Sequence, residues 1–174
     1  MRQAADILSP ARAQTLNYDE CLPYTVTLDE CDTWSRGKYA RGMIDPRQVF
    51  LEKAEENLAA AESEFANRRY NSCANRCYYA CFQAAIYALR MAGIQPPGRS
   101  DRWGHDFVQA QFNGQLIGRR KLYPSSLRNT LAENYALREA ADYTTDHATE
   151  RKTARAVRRV VAFLAEIRSE TGRG

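Results

Sequence analysis

The chain has 174 residues, of which 44% are hydrophobic and 26% charged, and this length allows one domain with a substantial core but not two large ones. No apolar run approaches the roughly 18 residues of a membrane span, and the first residues lack the apolar core of a signal peptide, so we expect a soluble, cytoplasmic protein. The formal net charge of +4 is too small by itself to identify a nucleic-acid-binding protein.

Residues 1–46 show no sustained hydrophobic period and contain three prolines, which predicts a partly irregular N-terminal arm. Within it the triplet Asp-Glu-Cys ends at Cys21 and again at Cys31. Two metal half-sites would look like this, but chance is the better interpretation because no histidine lies near them. Residues 34–42 interleave aromatic and basic residues with glycine, a composition that suits single-stranded nucleic acid and equally a flexible linker.

From residue 47 to residue 170 the apolar residues recur with the period of amphipathic helices. The predicted helices cover residues 50–65, 70–93 and 104–118, a segment that starts near Pro124, and a last segment that follows Asp146 as its N-cap. Short connections join them. We therefore predict an all-α, antiparallel up-down bundle of four to five helices.

The second predicted helix combines two apolar faces with a polar stripe. Cys73, Cys77 and Cys81 share a face of small residues, and we interpret them as reduced core residues because their spacing fits neither a disulfide ladder nor a zinc pattern. The polar stripe is formed by Asn75, Arg76, Tyr79, Gln83, Tyr87 and Arg90. In a bundle such a stripe is either a wet groove or a partner surface.

The last predicted helix has an apolar stripe and a strongly basic surface. The stripe consists of Val157, Val160, Val161, Leu164 and Ile167, and the basic residues are Arg151, Lys152, Arg155, Arg158 and Arg159. Most runs of this kind are solvated faces. As an alternative, these cations would follow the phosphates of an RNA or dock an acidic partner.

Two motifs carry a resemblance to a known family. They are Tyr70-x4-Asn75-Arg76-x-Tyr78-Tyr79-Ala80-x-Phe82-x-Ala84-Ala85 in the second helix and Arg138-x-x-Ala141-Asp142-Tyr143 at the end of the fourth. Together they resemble the HEPN domain (higher eukaryotes and prokaryotes nucleotide-binding), in particular its small stand-alone prokaryotic members. The resemblance covers residues 47–170 and leaves the arm unexplained.

The resemblance implies a homodimer whose second motif lies beside the dimer cleft. It also implies a toxin-type ribonuclease or a partner of a minimal nucleotidyltransferase, in a toxin–antitoxin or defence system, with neither metal nor cofactor. The ribonuclease members use an arginine followed by a histidine after four to six intervening residues. Here four residues separate Arg138 from Tyr143, and the next histidine is His147. Arg99 and His105 have the family spacing, but in so arginine-rich a chain chance produces such a match.

We predict Arg138, Asp142 and Tyr143 as the catalytic part of the site. Nucleotide or RNA binding is predicted for Asn75, Arg76, Tyr79 and His105. Arg138 can stabilise charge on a phosphate, whereas a tyrosine with an ordinary pKa near 10 is a poor base at neutral pH.

Each of these residues also has a plain structural interpretation. Arg138 and Asp142 fit an i,i+4 ion pair, Asn75 and Arg76 can tie two helices together, and His105 can cap the third helix. A competing functional hypothesis makes the protein a non-catalytic partner of a nucleotidyltransferase that modifies Tyr143. A purely structural dimeric bundle is the third possibility.

Overall fold

A computed structural model of the protein describes residues 45–98, 102–145 and 147–171, and within them all regular structure is helical. The α-helices are α1 (Gln48–Ala66), α2 (Tyr70–Met91), α3 (His105–Gln111), α4 (Thr130–Tyr143) and α5 (Glu150–Thr171). This confirms the predicted all-α class. The segment predicted to start near Pro124 begins with a short 3-10 helix, Ser125–Leu127, and becomes α-helical only at Thr130. The arm, except for residues 45 and 46, and the predicted cap Asp146 lie outside these ranges, so the domain boundary stays a prediction.

Helix α2 occupies the centre of the described fold and packs against α1, α3, α4 and α5. Thirteen of its seventeen residues from Cys73 to Leu89 are buried, and five of these are alanines, which let neighbouring helices approach closely. Cys73, Cys77 and Cys81 are buried free thiols, as the sequence predicted. Burial raises the pKa of the Cys81 thiol, so this side chain behaves as a small neutral core residue.

Aromatic packing joins α5 to the segment after α3. The ring of Phe112 lies 5.1 Å from that of Phe163 on α5 and stacks at 5.4 Å on Tyr123 in the following loop, measured between ring centroids. Phe112 and Phe163 are fully buried, and each such pair adds about 0.5–1.5 kcal/mol beyond the burial of its area.

The third predicted helix departs from its predicted form. Residues 104–118 were expected to form one α-helix, but after Gln111 the chain continues as a π-helix, Phe112–Arg119. The wider π-turn is visible in the hydrogen bond from the Arg120 amide to the Gln115 carbonyl at 2.9 Å. Gly118 permits a close approach, because a Cβ at this position would lie 3.2 Å from the Asn113 carbonyl.

Two side chains differ from the prediction in their exposure to solvent. Tyr87, assigned to the polar stripe of α2, is only 3% exposed, because α1 and the other neighbours enclose the second half of this helix. Val161, assigned to the core stripe of α5, is 44% exposed. The buried stripe of α5 passes through Val160 and Leu164, and Val161 is turned about 100° away from Val160.

None of the helices in the described ranges combines the length and apolar character that crossing a bilayer requires.

Candidate functional site

Arg138 lies one turn before the end of α4, and its side chain is only 14% exposed. Its Nε donates a hydrogen bond of 3.0 Å to Oδ2 of Asp142, which is one turn further along the same helix face. Its Nη2 donates a second hydrogen bond, of 3.3 Å, to the hydroxyl of Tyr143. The guanidinium is therefore held from two sides by the residues that follow it.

Three tyrosine rings surround this guanidinium. Its Cζ lies 5.9 Å from the ring centroids of Tyr78 and Tyr79 and 5.5 Å from that of Tyr143, within the range of cation–π attraction. Partial burial acts to lower the pKa of Arg138, but its interactions with Tyr79, Tyr143 and Asp142 outweigh this effect and raise it. Arg138 is thus a fixed cation in a partly desolvated aromatic setting.

Helix α2 supplies the opposite wall of the site. Asn75 Nδ2 donates a hydrogen bond of 2.9 Å to Oδ2 of Asp142, the same oxygen that accepts from Arg138. Arg76 lies with its guanidinium 5.7 Å from the ring centroid of Tyr79 and donates to Oδ1 of Asn57 on α1 at 3.2 Å. The structure therefore brings six of the seven predicted residues into one network.

A cleft of about 400 Å³ opens beside this network. Its walls are formed by Glu64, Asn71, Ser72, Asn75, Arg76 and Asp142. The cleft combines amide, hydroxyl and charged groups, and its volume is within the range of small-ligand sites. Such a lining suits a polar ligand better than an apolar one.

No role was predicted from the sequence for two residues of this region, Asn71 and His147. Asn71 Oδ1 accepts a hydrogen bond of 2.8 Å from the backbone N–H of Ala148, which fixes the orientation of the amide. Asn71 Nδ2 therefore faces Nδ1 of His147, 3.2 Å away, and donates to it. The neutral imidazole then carries its proton on Nε2.

His147 lies close to the Arg138 network. Together with Arg68, Asn71 and Ser72 it lines a second cleft of about 400 Å³, and two of these residues also line the first cleft. Asn71 and Asn75 are four residues apart and so occupy one face of α2, roughly 5–6 Å from each other. The position of Asn71 one turn before Asn75 was the only signal in the sequence for this neighbourhood.

The first turn of α2 borders both clefts. The chain enters it through a tight turn in which Arg68 has a positive φ of 58°, in the left-handed region. Arg69 is held against Glu64 of α1 by an ion pair. Arg68 forms no ion pair with any residue in the described ranges, and it lines the cleft beside His147.

His105 occupies a different position from the other predicted residues. It begins α3, and its Nδ1 is hydrogen-bonded to the hydroxyl of Tyr78. Burial raises the pKa of Tyr78, so this hydroxyl stays protonated and can either donate to Nδ1 or accept from it. His105 also packs against Phe82 at 4.8 Å and Tyr135 at 5.8 Å between ring centroids. His105 is therefore connected to Arg138 indirectly, because the Tyr78 side chain contacts both residues.

Metal coordination has no candidate among the residues described, since no three His, Cys, Asp or Glu side chains there lie in a metal-binding group.

Comparison with known proteins identifies the fold. Residues 48–170 match the family described as the HEPN domain, and this match covers all five helices. A comparison with curated proteins gave no match.

Proposed function

Because the chain belongs to the HEPN domain family, we propose that it binds RNA through a phosphate held at the cleft beside Arg138. The observation that carries this proposal is the immobilised guanidinium, bonded to Asp142 and Tyr143 and surrounded by three tyrosine rings. We further propose that the protein acts as a homodimer in a toxin–antitoxin or defence system, as the family resemblance implies.

The donor groups of Arg138 favour an anion as the ligand. Its hydrogen bonds within the described ranges use Nε and Nη2, and Nη1 has no partner there. Hydrogen bonds between a guanidinium and a phosphate oxygen are roughly twice as strong as neutral ones. Because Asp142 and Tyr143 already fix the planar group, little side-chain entropy is lost when it binds.

The groups around Arg138 favour binding over cleavage. Metal-independent cleavage of RNA requires a base for the 2′-hydroxyl proton. Oδ2 of Asp142 already accepts two hydrogen bonds, and Nδ1 of His147 accepts one from Asn71. Oδ1 of Asp142 is then the remaining proton acceptor among these residues, and its carboxylate is engaged in the ion pair with Arg138, so we assign the site to holding a phosphate.

RNA binding by wild type and by Arg138→Ala tests the proposal. Fluorescence anisotropy with a labelled single-stranded RNA in excess EDTA should show binding that weakens about tenfold or more in the variant, because one charge-assisted contact is lost. Arg128→Ala is the matched control, since Arg128 is exposed and has no ion pair in the described ranges. Equal affinities of wild type and Arg138→Ala would overturn the proposal. Cleavage products on a denaturing gel would show that the site is also catalytic.

A second candidate function rests on the exposure of Tyr143. Its ring is 73% exposed at the end of α4, and its hydroxyl lies 3.3 Å from Nη2 of Arg138. A partner nucleotidyltransferase could use this hydroxyl as the acceptor. The oxygen would attack the α-phosphate of a nucleoside triphosphate, pyrophosphate would leave, and the phenolic proton would pass to a base of the partner enzyme.

Mass spectrometry after co-expression with a minimal nucleotidyltransferase encoded by a neighbouring gene tests this second function. A mass increase of one or more nucleotidyl groups on Tyr143, absent in Tyr143→Phe, would support it. An unmodified Tyr143 together with no co-purification of the two proteins would argue against it.

A further inference from the structure

The outward face of α5 carries three arginines that the site does not use. Arg151, Arg155 and Arg158 are exposed and lie within an arc of about 60° on the side of the helix opposite its buried stripe. None of the three forms an ion pair with any residue in the described ranges. We call this face, defined by these three residues, the arginine face.

The nearest acidic side chains are engaged elsewhere. Glu150, at the start of α5, interacts with the hydroxyl of Tyr70 on α2. Glu133 of α4 pairs at 2.8 Å with Arg159, which lies on the flank of α5 rather than on its outward face. Within the described ranges, neighbouring carboxylates therefore do not neutralise the charge of the arginine face, and clustering three unpaired cations has an electrostatic cost that an anionic partner relieves.

The arginine face begins close in sequence to the cleft beside Arg68. His147 and Ala148, which line this cleft, lie two to three residues before α5, which begins at Glu150. From Arg151 to Arg158 the helix rises about 10 Å, in steps of about 6 and 4.5 Å. An extended polyanion that leaves the cleft at His147 and crosses to the outward side of α5 would meet the three guanidinium groups in succession.

We propose that the arginine face is a docking track for the phosphate backbone of single-stranded RNA whose other end lies in the cleft beside the Arg138 network. The inference rests on the proposed function, because it names how the same RNA continues outside the cleft. Guanidinium groups match the geometry of phosphate oxygens, and their contacts with the backbone carry no sequence preference.

A charge-matched pair of triple variants tests the track. The test variant is Arg151→Gln, Arg155→Gln and Arg158→Gln, and the control is Lys53→Gln, Arg119→Gln and Arg128→Gln, three exposed cations on other elements. Both variants lose three positive charges, and they differ mainly in where the charge is removed. RNA affinity is measured by anisotropy over a series of KCl concentrations.

The salt dependence provides the diagnostic readout. Because log K falls as log salt rises, each lost phosphate contact should make this negative slope less steep by about 0.7. The slope of the test variant should therefore be less steep than that of wild type by about 2, and that of the control almost unchanged. A test variant with the affinity and slope of wild type, or a control with an equal loss, would overturn the track. The track would also be overturned if wild type binds no RNA and captures only acidic proteins.

The two proposals fail in different ways. If the test variant keeps wild-type binding while Arg138→Ala loses it, the cleft stands and the track is overturned. If Arg138→Ala binds normally while the test variant does not, the track stands and the proposed function of the cleft is overturned.

Discussion

Asn75 on α2 donates a hydrogen bond of 2.9 Å to the carboxylate of Asp142, which lies 67 residues later on α4. The oxygen that accepts this bond also accepts from Arg138 at 3.0 Å. Asp142 is thus shared between an intrahelical ion pair and a contact between two helices. Asn75 acts on Arg138 through Asp142, as a positioning residue.

Replacing Asn75 should loosen Arg138 without removing it. In Asn75→Ala the carboxylate of Asp142 loses its contact to α2, and we expect a loss of about 0.5–1.5 kcal/mol in the free energy of unfolding and weaker RNA binding. Asn75→Asp places a second carboxylate beside Asp142, so its effect on both quantities should be larger. Urea denaturation and anisotropy measure the two effects, and wild-type RNA affinity in both variants would contradict the positioning role.

The ring and the hydroxyl of Tyr143 can be separated by substitution. Tyr143→Phe keeps the ring that lies 5.5 Å from the Arg138 guanidinium but removes the hydroxyl that accepts from it at 3.3 Å. If Tyr143 serves RNA binding through its ring, affinity should remain within about twofold in Tyr143→Phe and fall about tenfold in Tyr143→Leu, as expected for loss of a stacking contact. Equal losses in both variants would instead assign the role to the hydroxyl.

Asn71 should be important for stability as well as for the position of His147. The Ala148 amide that it satisfies belongs to a residue that is only 7% exposed. In Asn71→Ala this N–H loses its partner, so we expect the free energy of unfolding to fall by about 1–3 kcal/mol. Ser72→Ala, on the same turn, is the control and should change stability by less than about 0.5 kcal/mol. Chemical denaturation measures the stability of both variants. Equal stabilities would contradict a stabilising role for the hydrogen bond from the Ala148 amide to Asn71.

The sequence predicted the helices far better than the contacts between them. Apolar spacing located α2 at 70–93, and the structure has it at Tyr70–Met91, followed by a turn with a positive φ of 75° at Gly93. The Arg138–Asp142 pair followed from i,i+4 spacing on one helix. The bonds Asn75–Asp142 and Asn71–His147 join residues 67 and 76 positions apart, and they depend on how α2 packs against its neighbours.

The wrong predictions for Tyr87 and for the third helix also arise because sequence patterns do not show how the helices pack. Periodicity identifies the faces of a helix but does not show how many neighbours enclose it, and so Tyr87 was assigned to a wet stripe although four helices pack around α2. Likewise nothing in the spacing of Phe112, Leu116 and Ile117 distinguishes a π-helix from an α-helix, since all three are buried in the structure. The roles of the site residues stay predictions, whereas their proximity is now a structural finding.

Alkaline pH should destabilise the protein through its buried tyrosines. Burial raises the pKa of Tyr123 above the value near 10 that it has in the unfolded chain. Below pH 10 both states keep the proton and stability is unaffected. As the pH rises above 10 the unfolded state loses its proton first, so stability falls until the folded-state pKa is reached.

Tyr123→Phe tests this pH dependence, because phenylalanine can keep the ring stacked on Phe112 at 5.4 Å. The fall in stability above pH 10 should be shallower in the variant by up to about 1.4 kcal/mol per pH unit, the value for one proton. Parallel curves for wild type and Tyr123→Phe would disprove the assignment.

Asn134 offers a stability test inside the core. Its side chain is fully buried, and Nδ2 donates to the Thr130 carbonyl at 2.8 Å, while Oδ1 has no hydrogen-bond partner among the described residues. An unsatisfied buried acceptor costs about 1–3 kcal/mol, and leucine has a similar shape without that acceptor. We therefore expect Asn134→Leu to raise the melting temperature, and Asn134→Ala to lower it because it leaves a cavity. Differential scanning calorimetry measures both, and a leucine variant less stable than the alanine variant would show that Oδ1 is satisfied in solution, for example by a buried water.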